Sequence, residues 1–326
     1  MKIIMIGEAA DHAADLRRGL DRQHDIVALP TEAAHSGRDD ACIEPDDVVV
    51  TLRWSRPDGE VPSFRLLHVP GAGLDGLDLS ALRPETVVAN VYEHEIPIAE
   101  FVLARLLEWE IRAAAMQDGF TPAAWPQLYR HRNPHGELHG KTLGIVGYGR
   151  IGRAIAARAA AFGVCVRAVD DAAAPDGTAE IAPTDLLPDV LAGCDYVVLA
   201  CPLTAATTGL IDAAVLGRMP AHAVLVNVSR AEIVDEAALY AALRDGGIGG
   251  AVLDVWYRYP ASATDTAAPA EHPFWNLPNA WCTPHSSAWT HQLPLRRYAV
   301  VAENVNRLVS GEPLRNVVRA AHLHGL

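Results

Sequence analysis

Basic residues are scarce in this 326-residue chain: 27 Lys and Arg stand against 40 Asp and Glu, a formal net charge of −13 with His neutral. That deficit excludes a general binder of nucleic acid or anionic membrane, since such partners demand clustered positive charge. Cysteine is scarce as well. The five are scattered at Cys42, Cys165, Cys194, Cys201 and Cys282, an odd number with no C-x-x-C spacing. This excludes a disulfide framework and a thiolate metal site, and it suits reduced thiols in the cytoplasm. No apolar run reaches the roughly 20 residues that a membrane helix needs. The start, Met1-Lys-Ile-Ile-Met-Ile-Gly7, is followed quickly by Glu8, Asp11 and Asp15, so a strand fits it better than a signal peptide. There is no internal repeat, and the only biased stretch is the Ala/Pro-rich segment 260–273.

With half its residues apolar, the chain has the composition of a soluble globular protein of about two domains. Its organising stretch is residues 143–171. Leu143-Gly-Ile-Val-Gly-Tyr-Gly-Arg-Ile-Gly152 is followed by an Ala-rich run, Gly163 and a second apolar run ending in Asp170-Asp171. Strand, glycine turn, helix and strand are expected in that order. Gly147 permits the tight turn, Gly149 lets a pyrophosphate approach the backbone, and Gly152 lets helix and strand pack closely. The helix N-terminus offers amides and a positive dipole end to phosphate. Gly163 stops the helix. Asp170 can accept bonds from an adenine-ribose diol. With Asp171 beside it and no base among residues 171–180, the carboxylate disfavours a 2′-phosphate, so NAD is expected over NADP.

Before this unit, residues 1–93 alternate apolar runs with helical stretches. Strands are expected at 2–7, 47–51, 65–70 and 87–91, with a helix at 11–20, and this alternation implies a parallel sheet covered by helices. Two stretches fall at strand ends, where such sheets bind ligands. One is Thr51-Leu-Arg53-Trp54-Ser-Arg56; the other is Gly71-Ala72-Gly73-Leu-Asp75, whose small residues expose amides to a carboxylate. As an ordinary loop, the first would merely be solvated. Residues 98–116 read as one helix, apolar on both faces, buried against the protein or a second subunit. Residues 117–139 read as a long irregular loop.

After the glycine turn, strands are expected at 194–201, 223–228, 249–254 and 279–285. Their ends deliver Pro202, Arg230, Asp254 and His285 to one edge of one sheet. Hydride exchange between a nicotinamide and a carbinol needs an imidazole to move the hydroxyl proton and a guanidinium fork to bind carboxylate and polarise the carbonyl. It also needs a polar group to orient the carboxamide. His285, Arg230 and Asp254 meet those needs in that order. Taken singly, each has a duller role as satisfied polar residue, cap or turn former; their convergence argues for chemistry.

At this point the chain resembles the D-isomer-specific 2-hydroxyacid dehydrogenase family along most of its length. The motifs are Gly71-Ala-Gly-Leu-Asp75, Ala99-Glu100, Gly140-Lys-Thr-Leu-Gly-Ile-Val-Gly-Tyr-Gly-Arg-Ile-Gly152, Pro202-Leu-Thr204 with Thr207, Asn227-Val-Ser-Arg230, Val234-Asp-Glu236, Leu253-Asp-Val255 and Thr283-Pro-His285. The resemblance implies an α/β chain of two doubly wound parallel-sheet domains that forms a homodimer. A Rossmann NAD-binding domain, residues 94–293, would be inserted in a flavodoxin-like substrate domain, residues 1–93 plus 294–326. It implies that Arg230 binds the 2-oxo acid, His285 is the acid/base, and the backbone of Ala72 and Gly73 helps to hold the carboxylate. It assigns Asp254 to the carboxamide, and Arg150, Ile151, Asp170 and Thr207 to the dinucleotide. Together with the strand-end placements, the candidate cofactor set is Gly147, Tyr148, Gly149, Arg150, Ile151, Gly152, Asp170, Cys201, Pro202, Thr207, Val228, Ser229, Asp254 and Ser287. The candidate substrate set is Arg53, Trp54, Ala72, Gly73, Arg230, His285 and Trp289. No metal is expected.

One position departs from the family. A Glu that pairs with the catalytic His usually precedes a Pro; here the run is Asp254-Val-Trp-Tyr-Arg-Tyr259-Pro260, with Tyr259 in its place. A phenol can orient an imidazole but cannot stabilise imidazolium as a carboxylate does. Asp265 or Glu271 would substitute if the following loop folds back. Three readings follow. The first is exchange of hydride between NAD(H) and a small 2-hydroxy/2-oxo acid, including one with a second anionic group near Arg53, Arg56 or Arg258. The second is oxidation of a formate-, phosphite- or phosphonate-like anion. The third is an NAD-sensing binding protein without turnover.

Overall fold

The computed structural model describes residues 1–56 and 61–320. The last six residues of the expected 294–326 segment lie outside the described residues. The strands, in chain order, are β1 Lys2–Ile6, β2 Asp25–Leu29, β3 Val48–Val50, β4 Leu66–His68, β5 Val87–Ala89, β6 Thr142–Val146, β7 Cys165–Val169, β8 Glu180–Ala182, β9 Tyr196–Leu199, β10 Val224–Asn227, β11 Gly250–Leu253, β12 Ala280–Cys282 and β13 Val317–Arg319. They fall into two compact units, Met1–Glu93 with Thr290–Leu326, and His94–Trp289.

The first unit holds a six-stranded sheet ordered β13-β5-β4-β3-β1-β2. Its pairings are parallel except β13 on β5. Period two sorts β1 into both faces. Ile3 and Met5 pack with Tyr298, Val301 and Val305 of the helix Gln292–Ser310, while Ile4 and Ile6 pack with Trp54 and Phe64. Covered on both sides, the strands read as continuous apolar runs such as the wholly buried Val-Val-Val of β3. The strand order reverses between β1 and β3, the place where doubly wound sheets bind ligands. A cavity of about 240 Å³ opens there, lined in part by Gly7, Glu8, Thr51 and Arg53.

The second unit holds a seven-stranded, all-parallel sheet ordered β12-β11-β10-β9-β6-β7-β8. Its order reverses between β6 and β9, beside the glycine turn. Val197 and Leu199 of β9 enter one core and Tyr196 and Val198 the other.

The expected helix 98–116 is two helices, Glu95–Ile111 and Ala113–Gln117. Arg112 between them is left-handed, at φ 55°. Its amide bonds the Glu108 carbonyl at 2.9 Å and its Nε takes the Trp109 carbonyl at 3.1 Å, which ends the first helix. Burial of the first helix extends only to Leu106, and residues 112–120 are exposed. The expected loop 117–139 contains a short helix, Trp125–Arg130.

Candidate active site

The glycine turn follows β6. Gly147 has φ 93°, and a Cβ there would strike the backbone of Cys201. A Cβ on Gly152 would strike the Gly147 carbonyl, so the helix Arg150–Ala160 packs this close only on glycine. A Cβ on Gly149 would meet nothing within 4 Å. That open space, at the head of a helix whose first amides lack intrahelical partners, is what a pyrophosphate requires. The residues present therefore fit a dinucleotide.

Tyr148 braces the Asp170 carboxylate. Its side chain is buried, and its amide donates to Asp170 Oδ2 at 2.7 Å. Asp170 Oδ1 also accepts from the amides of Ala172 and Ala173 at 2.8 and 2.9 Å. Three bonds fix this carboxylate and leave one acceptor position on Oδ2. Asp171 is occupied by Thr184, whose amide and hydroxyl both donate to it at 2.8 Å.

The ends of β9, β10, β11 and β12 carry the remaining groups. The Ser229 hydroxyl donates to the Cys201 carbonyl, which ties the β10 and β9 ends together. Burial pushes the Cys201 thiol up to about 11, so it stays protonated. The Thr207 hydroxyl is used within its own turn, on the Pro202 carbonyl at 2.7 Å. Val228, Ser229 and Ser287 are buried, whereas Trp289 is 82% exposed. The Asn227 side chain braces the turn after β10: its Nδ2 donates to the Arg230 carbonyl at 2.9 Å and its Oδ1 accepts from the Ser229 amide at 3.1 Å. Arg230 Nη1 donates to the Ser229 carbonyl at 2.8 Å.

Asp254 is fully buried. It accepts from the Thr283 hydroxyl at 2.6 Å, the Ser286 amide at 2.8 Å and the Ser287 amide at 2.9 Å. It thereby holds the turn that presents His285, whose own φ is 55°. One acceptor position remains on its Oδ2.

Tyr259 Oη lies 2.8 Å from His285 Nδ1 and accepts from the Trp256 amide at 3.2 Å. Burial pushes the Tyr259 phenol up, so it stays neutral. Burial is also the main influence on His285 and holds its pKa below the ordinary 6.5. The Asp254 carboxylate opposes that shift and the Arg230 cation adds to it. The two carboxylates considered as stand-ins for the missing Glu are engaged elsewhere. Asp265 accepts from the amides of Ala261 and Ala267 at 2.8 and 2.9 Å, and Glu271 pairs with Arg258 at 2.7 Å.

In the first unit, two sequence expectations need correction. Trp54 is completely buried, with its indole N–H on the Ala81 carbonyl at 2.7 Å, so its side chain belongs to the core. Arg56 stacks 3.8 Å over the Trp54 ring, pairs with Asp40 at 2.7 Å and donates to the carbonyls of Ala33 and Ala34. A cation so fully bonded is part of the scaffold. Arg53 is exposed. Gly71 is buried, Gly73 is exposed, and the Ala72 carbonyl accepts from Asn90 Nδ2 at 3.0 Å.

The candidate sets leave out Asn227 and Thr283, which stand only within the quoted motifs, and the Arg153–Asp176 pair near Asp170. For Asn227, a signal existed in the Asn-x-x-Arg spacing of a turn. Arg153 was overlooked because it comes from the helix and not from the loop after β7.

The family model for "D-isomer specific 2-hydroxyacid dehydrogenase, NAD binding domain" matches residues 103–287. Glyoxylate reductase of Korarchaeum cryptofilum is 32% identical over 284 residues, covering 83% of this chain and 82% of that protein. D-3-phosphoglycerate dehydrogenase of Mycobacterium tuberculosis is 34% identical over 284 residues, covering 83% of this chain and 51% of that protein. The chain thus spans about half the length of the phosphoglycerate dehydrogenases it matches. The crystal structure of the D-isomer specific 2-hydroxyacid dehydrogenase from Lactobacillus delbrueckii, in its NAD-complexed form, shares the fold. Its TM-score is 0.77 at 22% identity, over 98% of this chain and 100% of that one. The chain belongs to the D-isomer specific 2-hydroxyacid dehydrogenase family, and its central unit carries that family's NAD binding domain.

Proposed function

We propose that the protein exchanges a hydride between NAD(H) and a small 2-hydroxy/2-oxo acid. The observation that carries this reading is the convergence of Arg230, Asp254 and His285 at the ends of β10, β11 and β12, with His285 bonded to Tyr259. NAD, when bound, supplies or accepts the hydride. Arg230 offers the planar fork that binds the carboxylate and polarises the 2-oxo group. His285 Nε2 gives the proton to the nascent alkoxide in reduction, or takes it from the hydroxyl in oxidation. Tyr259 orients the ring through Nδ1. It accepts from Nδ1–H both when the ring is charged and in the neutral tautomer whose Nε2 is bare and able to take the proton.

In the first unit, Arg53 and the backbone of Ala72 and Gly73 are assigned to the substrate. Of the arginines considered for a second anionic group, Arg56 and Arg258 are bonded to carboxylates. The first unit is accordingly the substrate domain. A homodimer is part of the proposal. The exposed Met116, Phe120, Trp125, Leu128 and Tyr129 lie on one segment, which supports a subunit contact there. A cytoplasmic location agrees with five free thiols.

The direct test is NADH oxidation, followed by absorbance, with a panel of 2-oxo acids that includes glyoxylate and hydroxypyruvate, repeated with NADPH. At least one 2-oxo acid should be turned over, with kcat/KM higher for NADH. Tight NADH binding without turnover would favour a sensor, and equal or better use of NADPH would contradict the cofactor assignment.

A further inference from the structure

We propose that Asp176 sets cofactor choice by holding Arg153 out of reach of a 2′-phosphate, an inference that rests on reading the glycine turn as a dinucleotide site. Arg153 projects from the helix Arg150–Ala160 onto the loop that leaves Asp170. Its Nη1 lies 2.5 Å from Asp176 Oδ2 and its Nη2 donates to the Ala174 carbonyl at 2.8 Å. Asp176 is itself anchored. It accepts from the Thr178 amide at 2.9 Å and from the Tyr148 hydroxyl at 3.1 Å. The Tyr148 ring lies beneath the guanidinium, 4.6 Å away, and its backbone amide is the one bonded to Asp170. Tyr148 therefore links the two carboxylates, with Arg153 stacked on it.

This arrangement matters because Arg153 is the base that the fold brings to the Asp170 end of the turn. A guanidinium there is the natural fork for a phosphate. Its charge is balanced by Asp176 and its donors are turned to Asp176 and Ala174. Asp170, Asp171, Asp176 and Arg153 together carry three negative charges and one positive, a net −2. A 2′-phosphate would meet Asp170 with the charge of Arg153 already balanced by Asp176, while an unphosphorylated ribose would still find the acceptor on Asp170. Discrimination then comes from two parts: repulsion by Asp170, and sequestration of Arg153.

The test is calorimetric titration of ADP-ribose and its 2′-phosphorylated form into the full chain. Wild type should favour ADP-ribose. Asp176→Asn keeps the shape and the bonds to Tyr148 and Thr178 but frees the charge of Arg153. The affinity ratio should then move toward the 2′-phosphate by about tenfold, the worth of one charge-assisted bond. Adding Arg153→Ala to that variant should reverse the gain. An unchanged ratio in Asp176→Asn, or a gain that survives loss of Arg153, overturns the proposal. Arg153→Ala alone gives an independent check: a tenfold loss of the phosphorylated ligand would mean that Arg153 already serves the phosphate, which also overturns it. Failure of wild type to bind ADP-ribose would instead bring down the dinucleotide reading itself.

Discussion

His285→Ala is expected to lower reductive kcat/KM by roughly 10²- to 10⁴-fold, the usual contribution of a positioned general acid. The argument rests on how completely the surroundings prescribe the ring. Asp254 takes three bonds from the residues flanking His285, and Tyr259 takes Nδ1, so Nε2 is the nitrogen left for the substrate. Affinity for NADH should change little, because the dinucleotide turn lies after β6 and makes no use of the imidazole. Steady-state kinetics together with NADH titration separate the two effects. Full activity in the Ala variant would remove proton transfer from the mechanism and bring forward oxidation of a formate- or phosphite-like anion.

Arg230→Lys should lower kcat/KM by roughly 10- to 100-fold, even though the charge is kept. A charge-assisted bond contributes about 1.5–3 kcal/mol, and an ammonium cannot reproduce the two parallel bonds of a guanidinium to a carboxylate. The side chain leaves a turn braced by both polar atoms of Asn227, which hold the backbone beside the head group's own bond to the Ser229 carbonyl. KM for the 2-oxo acid should carry much of the loss. A Lys variant with wild-type kinetics would make Arg230 a structural residue.

Both sheets were legible in the sequence because their inner strands are short, apolar runs covered on both faces. β3, β9 and β10 are buried at every position. The strands that escaped notice, β2, β8 and β13, are all sheet edges. Edge strands are partly solvated, and the exposed Asp25, Glu180 and Val317 interrupt or dilute the apolar signal. The glycine turn was readable because two of its glycines answer to backbone collisions that permit no alternative. Trp54 and Arg56 misled for the opposite reason. Residue type at a strand end suggests a ligand, but only packing reveals that the indole fills the core and that Arg56 is bonded to Asp40. Asp254 stands out in the sequence as a carboxylate at a strand end, yet its hold on the His285 turn depends on a tertiary contact that no spacing announces.

The central claim is that His285 works as the acid with a neutral phenol in place of a carboxylate, and the pH dependence of reductive kcat/KM tests it most directly. The free-enzyme imidazole has its pKa below 6.5, chiefly through burial, and only its protonated form can donate. Reductive kcat/KM should therefore be highest at low pH and fall about tenfold per unit once pH passes the lowered pKa of the imidazole. Tyr259→Glu supplies a carboxylate at the same position and should move the limb upward by roughly one unit or more. Tyr259→Phe removes no charge and should leave it nearly in place. A wild-type enzyme that holds full reductive activity well above neutral pH, or a limb that Tyr259→Glu does not move, would contradict the account.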